Sequence, residues 1–313
     1  MAYLLYYGLL LPLSWLPLPV LYALGRVFYW LGYRLLKYRR AVVYRNMRAS
    51  FPDWGEERLE AEVRKFYRYF FDSLAESIKL FSMPEAEAIR RCRVTNPEVL
   101  RPYAERGQNV IIVGAHYANW EVAALSFPRQ LVPMNVMAIY SPLKNEVLDR
   151  LTHANRTRTG LHLVSRRVVD EYFAGEPLRP AVEIFIADQS PSNAAWYKVH
   201  WTTFLHQTTS FLMGPERYAV RNDRPVFYMN LRMSGRGRYE STLQLITDQP
   251  TATEPGYITE AFARTLEQEI RRDPTPWLWT HRRWKRGVAP AAAAALEDQP
   301  YVAGRYERTV GSE

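Results

Sequence analysis

The chain has 313 residues, 48% of them hydrophobic, which is enough to bury one large core or two modest ones. Its single cysteine, Cys92, excludes an internal disulfide framework and any multi-cysteine metal site. A formal net charge of +9 favours a polyanionic partner, whether nucleic acid, an anionic membrane, a phosphorylated lipid or an acidic carrier protein, and an aromatic share of 14% tilts that choice toward lipid.

Met1 to Gly25 carries no charged side chain and contains Pro12, Pro17 and Pro19; beyond Arg26, Val27–Leu36 is again mostly apolar. The apolar reach would span a bilayer, but the prolines argue against one straight spanning helix. A secretory signal peptide is not expected, because the basic n-region and a small-residue cleavage site are missing. Next comes a basic cluster, Arg34, Lys37, Arg39, Arg40, Arg45 and Arg48, of the kind that stays cytoplasmic and attracts anionic headgroups. Residues 1–40 are expected to form a membrane anchor with a basic flank, spanning the bilayer or embedded in one leaflet. The alternative is the buried first helix of a soluble domain.

Glu56–Phe81 has Leu59, Val63, Phe66, Phe70, Leu74 and Ile78 at helical spacing, which predicts an amphipathic helix. Short helices are expected over Glu85–Cys92 and Asn96–Arg106, with a short strand at Arg93–Thr95. Val110–Val113 then reads as a buried strand, broken by Gly114. Asn119 is placed to N-cap a helix starting at Trp120. His116 lies in the intervening turn, with Glu121 five positions on. On one continuous helix such residues point about 140° apart. In a loop that leads into a helix, the imidazole can swing back to meet the carboxylate. A His held by a carboxylate has a fixed tautomer and suits deprotonation of a hydroxyl. The competing reading is a purely structural His.

Val136–Ile139 and Leu161–Val164 read as strands, and Lys144–Arg158 and Arg166–Ala174 as helices. Arg156 and Arg158, just before Gly160, suit a phosphate or carboxylate, or simply a helix C-terminus. Val182–Ala187 is a strand ending in Asp188-Gln189-Ser190-Pro191, at the kind of strand end where α/β proteins place their chemistry. Trp196–Phe204 looks irregular. His200 and His206 lack the spacing and acidic partner of a zinc motif, so no metal is expected. A helix from Gly214, strands Pro225–Leu231 and Glu240–Ile246 around a basic hairpin, and a helix Glu260–Arg271 follow. Residues 289–313 are expected to be a flexible tail. Strands alternating with helices predict an α/β fold, a mainly parallel central sheet flanked by helices. The absence of P-loop, G-x-G-x-x-G and G-x-S-x-G motifs argues against an NTPase, a dinucleotide enzyme and a standard serine hydrolase.

Four blocks carry a resemblance. They are His116…Glu121 as H-x4-[DE], Tyr140-x-Pro142…Asn145 leading to Arg156-x-Arg158, Ala187-Asp188-Gln189, and Trp279-Thr280-His281-Arg282-Arg283-Trp284-Lys285. In this order they resemble the late lipid A acyltransferases of Gram-negative bacteria, the lauroyl and myristoyl transferases of the wider glycerolipid acyltransferase superfamily. The last string is the most specific, and the resemblance covers roughly Met1 to Gly287. It implies an acyltransferase domain over 41–288 that needs no cofactor and no nucleic acid. The implied donor is an acyl-carrier protein thioester and the implied acceptor a hydroxyl of a phosphorylated glycolipid, at the cytoplasmic face of the inner membrane. It also implies His116 as general base supported by Glu121, and substrate contacts from Arg156, Arg158, Asn119, Asp188 and Gln189. Another lipid acceptor, such as a glycerophospholipid or an amino-acid lipid, or a non-catalytic lipid-binding member, are the alternatives. Of the C-terminal arginines, Arg282 or Arg283 is expected to tie its segment to the core sheet.

Overall fold

The computed structural model describes residues 2–175, 178–191 and 198–285. The expected tail at 289–313 and the start of the aromatic stretch at Trp196 lie outside the described residues. Near the N-terminus, Ala2–Leu5 (α1) and Leu11–Trp15 (α2) are joined by a π-helical turn, and Leu18–Tyr29 (α3) continues through another to Leu35. Leu16 and Pro17 are extended between them, so the two halves meet at 117°. Among the described residues no single helix is long and apolar enough to cross a membrane; the bent pair together has the length and composition to do so. Tyr3, Leu4, Trp15, Phe28, Trp30 and Leu36 point outward, more than a third exposed. Arg40–Ser50 (α4) and the long Glu56–Lys79 (α5) follow. The π-helical turn after α3 lies close on α5: a Cβ at Gly32 would sit 2.4 Å from the tip of the Phe71 ring and would push that ring aside. Of the residues whose spacing predicts this helix, Leu59, Val63 and Phe66 are buried, Phe70 and Ile78 are half-buried and Leu74 is exposed; Tyr67 is buried beside them.

After Glu85–Arg91 (α6), Cys92–Val94 (β1) and Arg101–Glu105 (α7), the α/β core begins with Val110–Gly114 (β2) and Trp120–Gln130 (α8). Asn135–Tyr140 (β3), Glu146–Thr157 (α9), Leu161–Ser165 (β4), Val169–Ala174 (α10) and Ala181–Ile186 (β5) continue it. Val199–Phe204 (β6) and Gln207–Leu212 (β7) form a separate hairpin. Gly214–Asn222 (α11), Val226–Gly235 (β8), Arg238–Thr247 (β9) and Tyr257–Arg272 (α12) complete the order. The seven-stranded sheet runs β1-β9-β8-β2-β5-β3-β4. Strands β8, β2, β5, β3 and β4 are mutually parallel; β9 is antiparallel to β8, and β1 runs alongside β9. This is the expected mainly parallel sheet, with one reversed edge.

The order places the chemistry. β5 inserts beside β2, with Gly114 in register with Ile186. From β2 the chain goes on to β3, beyond β5; from β5 it goes on to β8, beyond β2. Connections leaving two neighbouring strands in opposite directions open a crevice at their C-terminal ends, where ligands of α/β proteins bind. The loops after β2 and β5, carrying His116 and Asp188, emerge there side by side. The expected irregular stretch up to Phe204 instead holds β6, paired in full with β7. Its turn places Leu205 and His206 at φ 51° and 63°, a left-handed pair usually marked by Asn-Gly, so no turn residue announced the hairpin.

Candidate active site

β2 ends at Gly114, where a Cβ would lie 2.6 Å from the Met229 methyl. The chain turns through Ala118 in the left-handed region at φ 55°. Asn119 then caps α8, accepting the Val122 N–H at 3.3 Å, as its position in the sequence predicts. Its amide N–H donates to Glu76 Oε2 at 2.8 Å, and Asn119 is fully buried. Tyr239 and Tyr22 donate to the same carboxylate, at 2.5 and 2.8 Å. Burial raises Glu76, against these donors. Asn119 therefore braces the turn, with its side chain bonded to Val122 and Glu76.

The expected His116–Glu121 pairing is replaced by another. His116 Nδ1 lies 2.7 Å from Asp188 Oδ1, and the His116 backbone N–H donates to the same oxygen at 3.0 Å. The second Asp188 oxygen accepts the Trp277 indole N–H at 2.9 Å. Burial alone would raise Asp188, but the facing imidazole and these donors outweigh it and hold the carboxyl below the usual range. When Nδ1–H donates to the carboxylate, Nε2 is left as an acceptor on the other side of the ring. It faces the Gln189 amide at 3.1 Å and meets the Trp120 ring edge-on. Gln189 thus lies at the Nε2 side of the ring, and Asp188, only 3% exposed, lies behind the imidazole on its Nδ1 side.

Glu121, in the first turn of α8, takes both its bonds from Arg156, the Nε donating at 2.9 Å and an Nη on the other oxygen. Arg158 faces elsewhere. One of its Nη atoms donates to the Leu80 and Met83 carbonyls at 2.8 and 2.7 Å, closing the end of α5. Burial lowers its affinity for its proton. The two arginines are two residues apart on a helical turn, about 200° around the axis, so they cannot share a ligand. Of the two, Arg156 lines the cavity described next, and Arg158 is bonded to the end of α5.

A cavity of about 610 Å³ opens over these strand ends. Phe127, Leu161, Ile184 and Phe185 line its buried part, and Glu121, Arg156, Arg166 and Arg217 its more exposed part, with His116 and Gln189 in the wall. The lining is apolar inside and carries charged side chains at its mouth.

The C-terminal segment 276–283 closes the back of the turn. Tyr117 and Trp277 form a β-bridge, the Leu278 N–H donates to the His116 carbonyl at 3.2 Å, and the Ala118 N–H to that of Pro276 at 3.1 Å. His281 Nε2 accepts the Ser190 N–H at 3.1 Å; burial lowers this His to about 4, which keeps it neutral for that purpose. Asn46 donates to the Trp279 and His281 carbonyls, and Arg39 to that of Thr280. Arg283, buried, donates to Thr209 Oγ1 and the Ser210 carbonyl at 2.7 and 2.8 Å, over the Phe211 ring. It ties the segment to the β6–β7 hairpin rather than to the core sheet, and Arg282 is exposed. The sequence marked Trp279–Lys285 only as a motif, and no spacing rule links Trp277, which stands before that motif, to a carboxylate at 188.

Comparison with known proteins gives the family. The family model for bacterial lipid A biosynthesis acyltransferases matches residues 1–286. The chain is 24% identical over 286 residues to the lipid A biosynthesis lauroyltransferase of Escherichia coli, covering 86% of this chain and 87% of that protein. It is 24% identical over 280 residues to the lipid A biosynthesis palmitoleoyltransferase of the same organism, covering 86% of each. A lipid A biosynthesis acyltransferase of Haemophilus influenzae is 23% identical over 279 residues, again with 86% of each covered.

Proposed function

Because this chain belongs to the bacterial lipid A biosynthesis acyltransferase family, we propose that it moves a fatty acyl group from an acyl-carrier-protein thioester to a hydroxyl of a lipid A precursor, with His116 as general base. The observation that carries this reading is the His116–Asp188 pair, with its free Nε2, in the wall of an apolar cavity rimmed by arginines. The acceptor hydroxyl displaces the Gln189 amide from Nε2 and gives its proton to that nitrogen as its oxygen attacks the thioester carbonyl. The C–S bond then breaks, and the imidazolium returns the proton to the leaving thiolate. Asp188 stabilises the imidazolium. Glu121 and Arg156 fix each other at the cavity rim, where arginine charge suits an acceptor phosphate.

The test uses purified protein, acyl-carrier protein loaded with fatty acids of different length, and a lipid A precursor bearing 3-hydroxyacyl chains. The wild type should give a new ester on the precursor. His116→Ala should lose roughly 100-fold or more, on the scale of a lost general base. A folded His116→Ala variant with near-normal turnover removes the proposed base. Transfer only to a glycerophospholipid or an amino-acid lipid removes the proposed acceptor.

The bent N-terminal pair is proposed to sit in one leaflet of the inner membrane, with the rest of the chain on the cytoplasmic side. Its exposed aromatic and aliphatic side chains, its proline-marked bend and the basic residues after it support this placement. An Ala2→Cys variant in oriented vesicles should react with a membrane-impermeant maleimide only from the side that carries the catalytic domain. Labelling from the opposite side means that the segment crosses.

A further inference from the structure

Asp188 has both carboxylate oxygens occupied. Oδ1 serves His116, and Oδ2 accepts the Trp277 indole N–H at 2.9 Å. Trp277 is buried among Trp279, Phe204 and Trp284, with ring centroids 4.7, 5.9 and 5.8 Å away. Its backbone bridges Tyr117, next to His116. One rigid unit therefore carries both the imidazole and the donor on the far oxygen of its carboxylate. Each hydrogen bond given to a carboxylate spreads and stabilises its charge, which leaves less for the imidazolium. An indole fixed on Oδ2 weakens the hold of Asp188 on a protonated ring.

We propose that Trp277 is a positioning residue that acts through Asp188 to set how readily His116 releases its proton, so that the free base persists to lower pH than a two-residue His–Asp pair would allow. This rests on His116 being the base of acyl transfer. Among the described residues, the other titratable and charged groups around the pair are His281 and Arg283 from the same C-terminal segment and Tyr228 from β8. Glu121 and Arg156 face the cavity beside the ring. None of these donates to Asp188 Oδ2, so the indole N–H can be removed without touching them.

The experiment replaces Trp277 with phenylalanine and, in a second variant, with benzothienylalanine, which keeps the shape of the indole and lacks its N–H. The titration midpoint of His116 is read by NMR of full-length protein in detergent micelles with isotope-labelled histidine, the signal being assigned by its loss in His116→Ala. Both replacements should move the midpoint upward by roughly half to one unit, a three- to ten-fold change in proton affinity. Asp188→Asn should move it downward. The acid limb of kcat/KM should shift upward by the same amount in the Trp277 variants, with the KM for acyl donor unchanged. An unmoved midpoint in the folded benzothienylalanine protein overturns the proposal and leaves Trp277 as packing. The NMR reading needs no turnover. If the midpoint moves while His116→Ala still transfers acyl groups, the tuning stands and the catalytic reading fails instead.

Discussion

Asp188→Asn should lower acyl transfer by roughly 10²–10⁴-fold at neutral pH, and Glu121→Gln should cost less. An asparagine at 188 keeps the shape but removes the charge that stabilises the imidazolium, and its amide can favour the wrong tautomer; such a change in a hydrolase triad costs about 10⁴ in kcat. Glu121 supports Arg156 and the cavity rim, so its loss acts on substrate placement. Double variants separate the two roles. His116→Ala with Asp188→Asn should be hardly worse than His116→Ala alone, because the pair acts as a unit. His116→Ala with Glu121→Gln should be worse than either single change. The reverse pattern, with Glu121 rather than Asp188 coupled to His116, would return the carboxylate role to the position five residues after the His.

Arg283→Ala should be the most destabilising single change in the C-terminal segment, at about 3–5 kcal/mol, the range for emptying a large buried site. Arg283 is only 1% exposed, and burial pushes its guanidinium down to about 10. Thr209 and Ser210 lose their donors when it is removed, which adds to the cavity term. Arg283→Met fills most of the volume and should recover part of the loss. At about 2–4 °C per kcal/mol for a large domain, the alanine variant should melt at least roughly 6 °C below wild type by scanning fluorimetry. Unchanged melting together with lost activity would mean that Arg283 meets substrate.

The strands and the helix cap were legible because their signals are local. Val110–Val113 and Val182–Ala187 are apolar runs that stop at polar loops, and Asn119 stands one residue before a helical pattern. The partner of His116 was not legible for the opposite reason. Asp188 is 72 residues away and arrives only because β5 inserts beside β2, past two strands that come earlier in the chain. Glu121 is the nearer carboxylate in sequence, yet the left-handed Ala118 and the Asn119 cap start a helix on which its carboxylate faces Arg156. Arg156 and Arg158 read as one basic group on paper, while helical geometry sends one to the cavity and the other to the end of α5.

The indole that completes the centre lies 89 residues after the carboxylate it caps. Polypeptides leave the ribosome N-terminus first, at about 5–20 residues per second, so Asp188 is synthesised about 4–18 s before Trp277. Asn46, which anchors the same segment, precedes Trp279 by 233 residues. During translation the N-terminal apolar helices, the sheet and the His116–Asp188 pair are all made while the strap that backs them is still unmade. The turn that carries His116 and the strand end that carries Asp188 are therefore backed by a segment translated only after the sheet that holds them both.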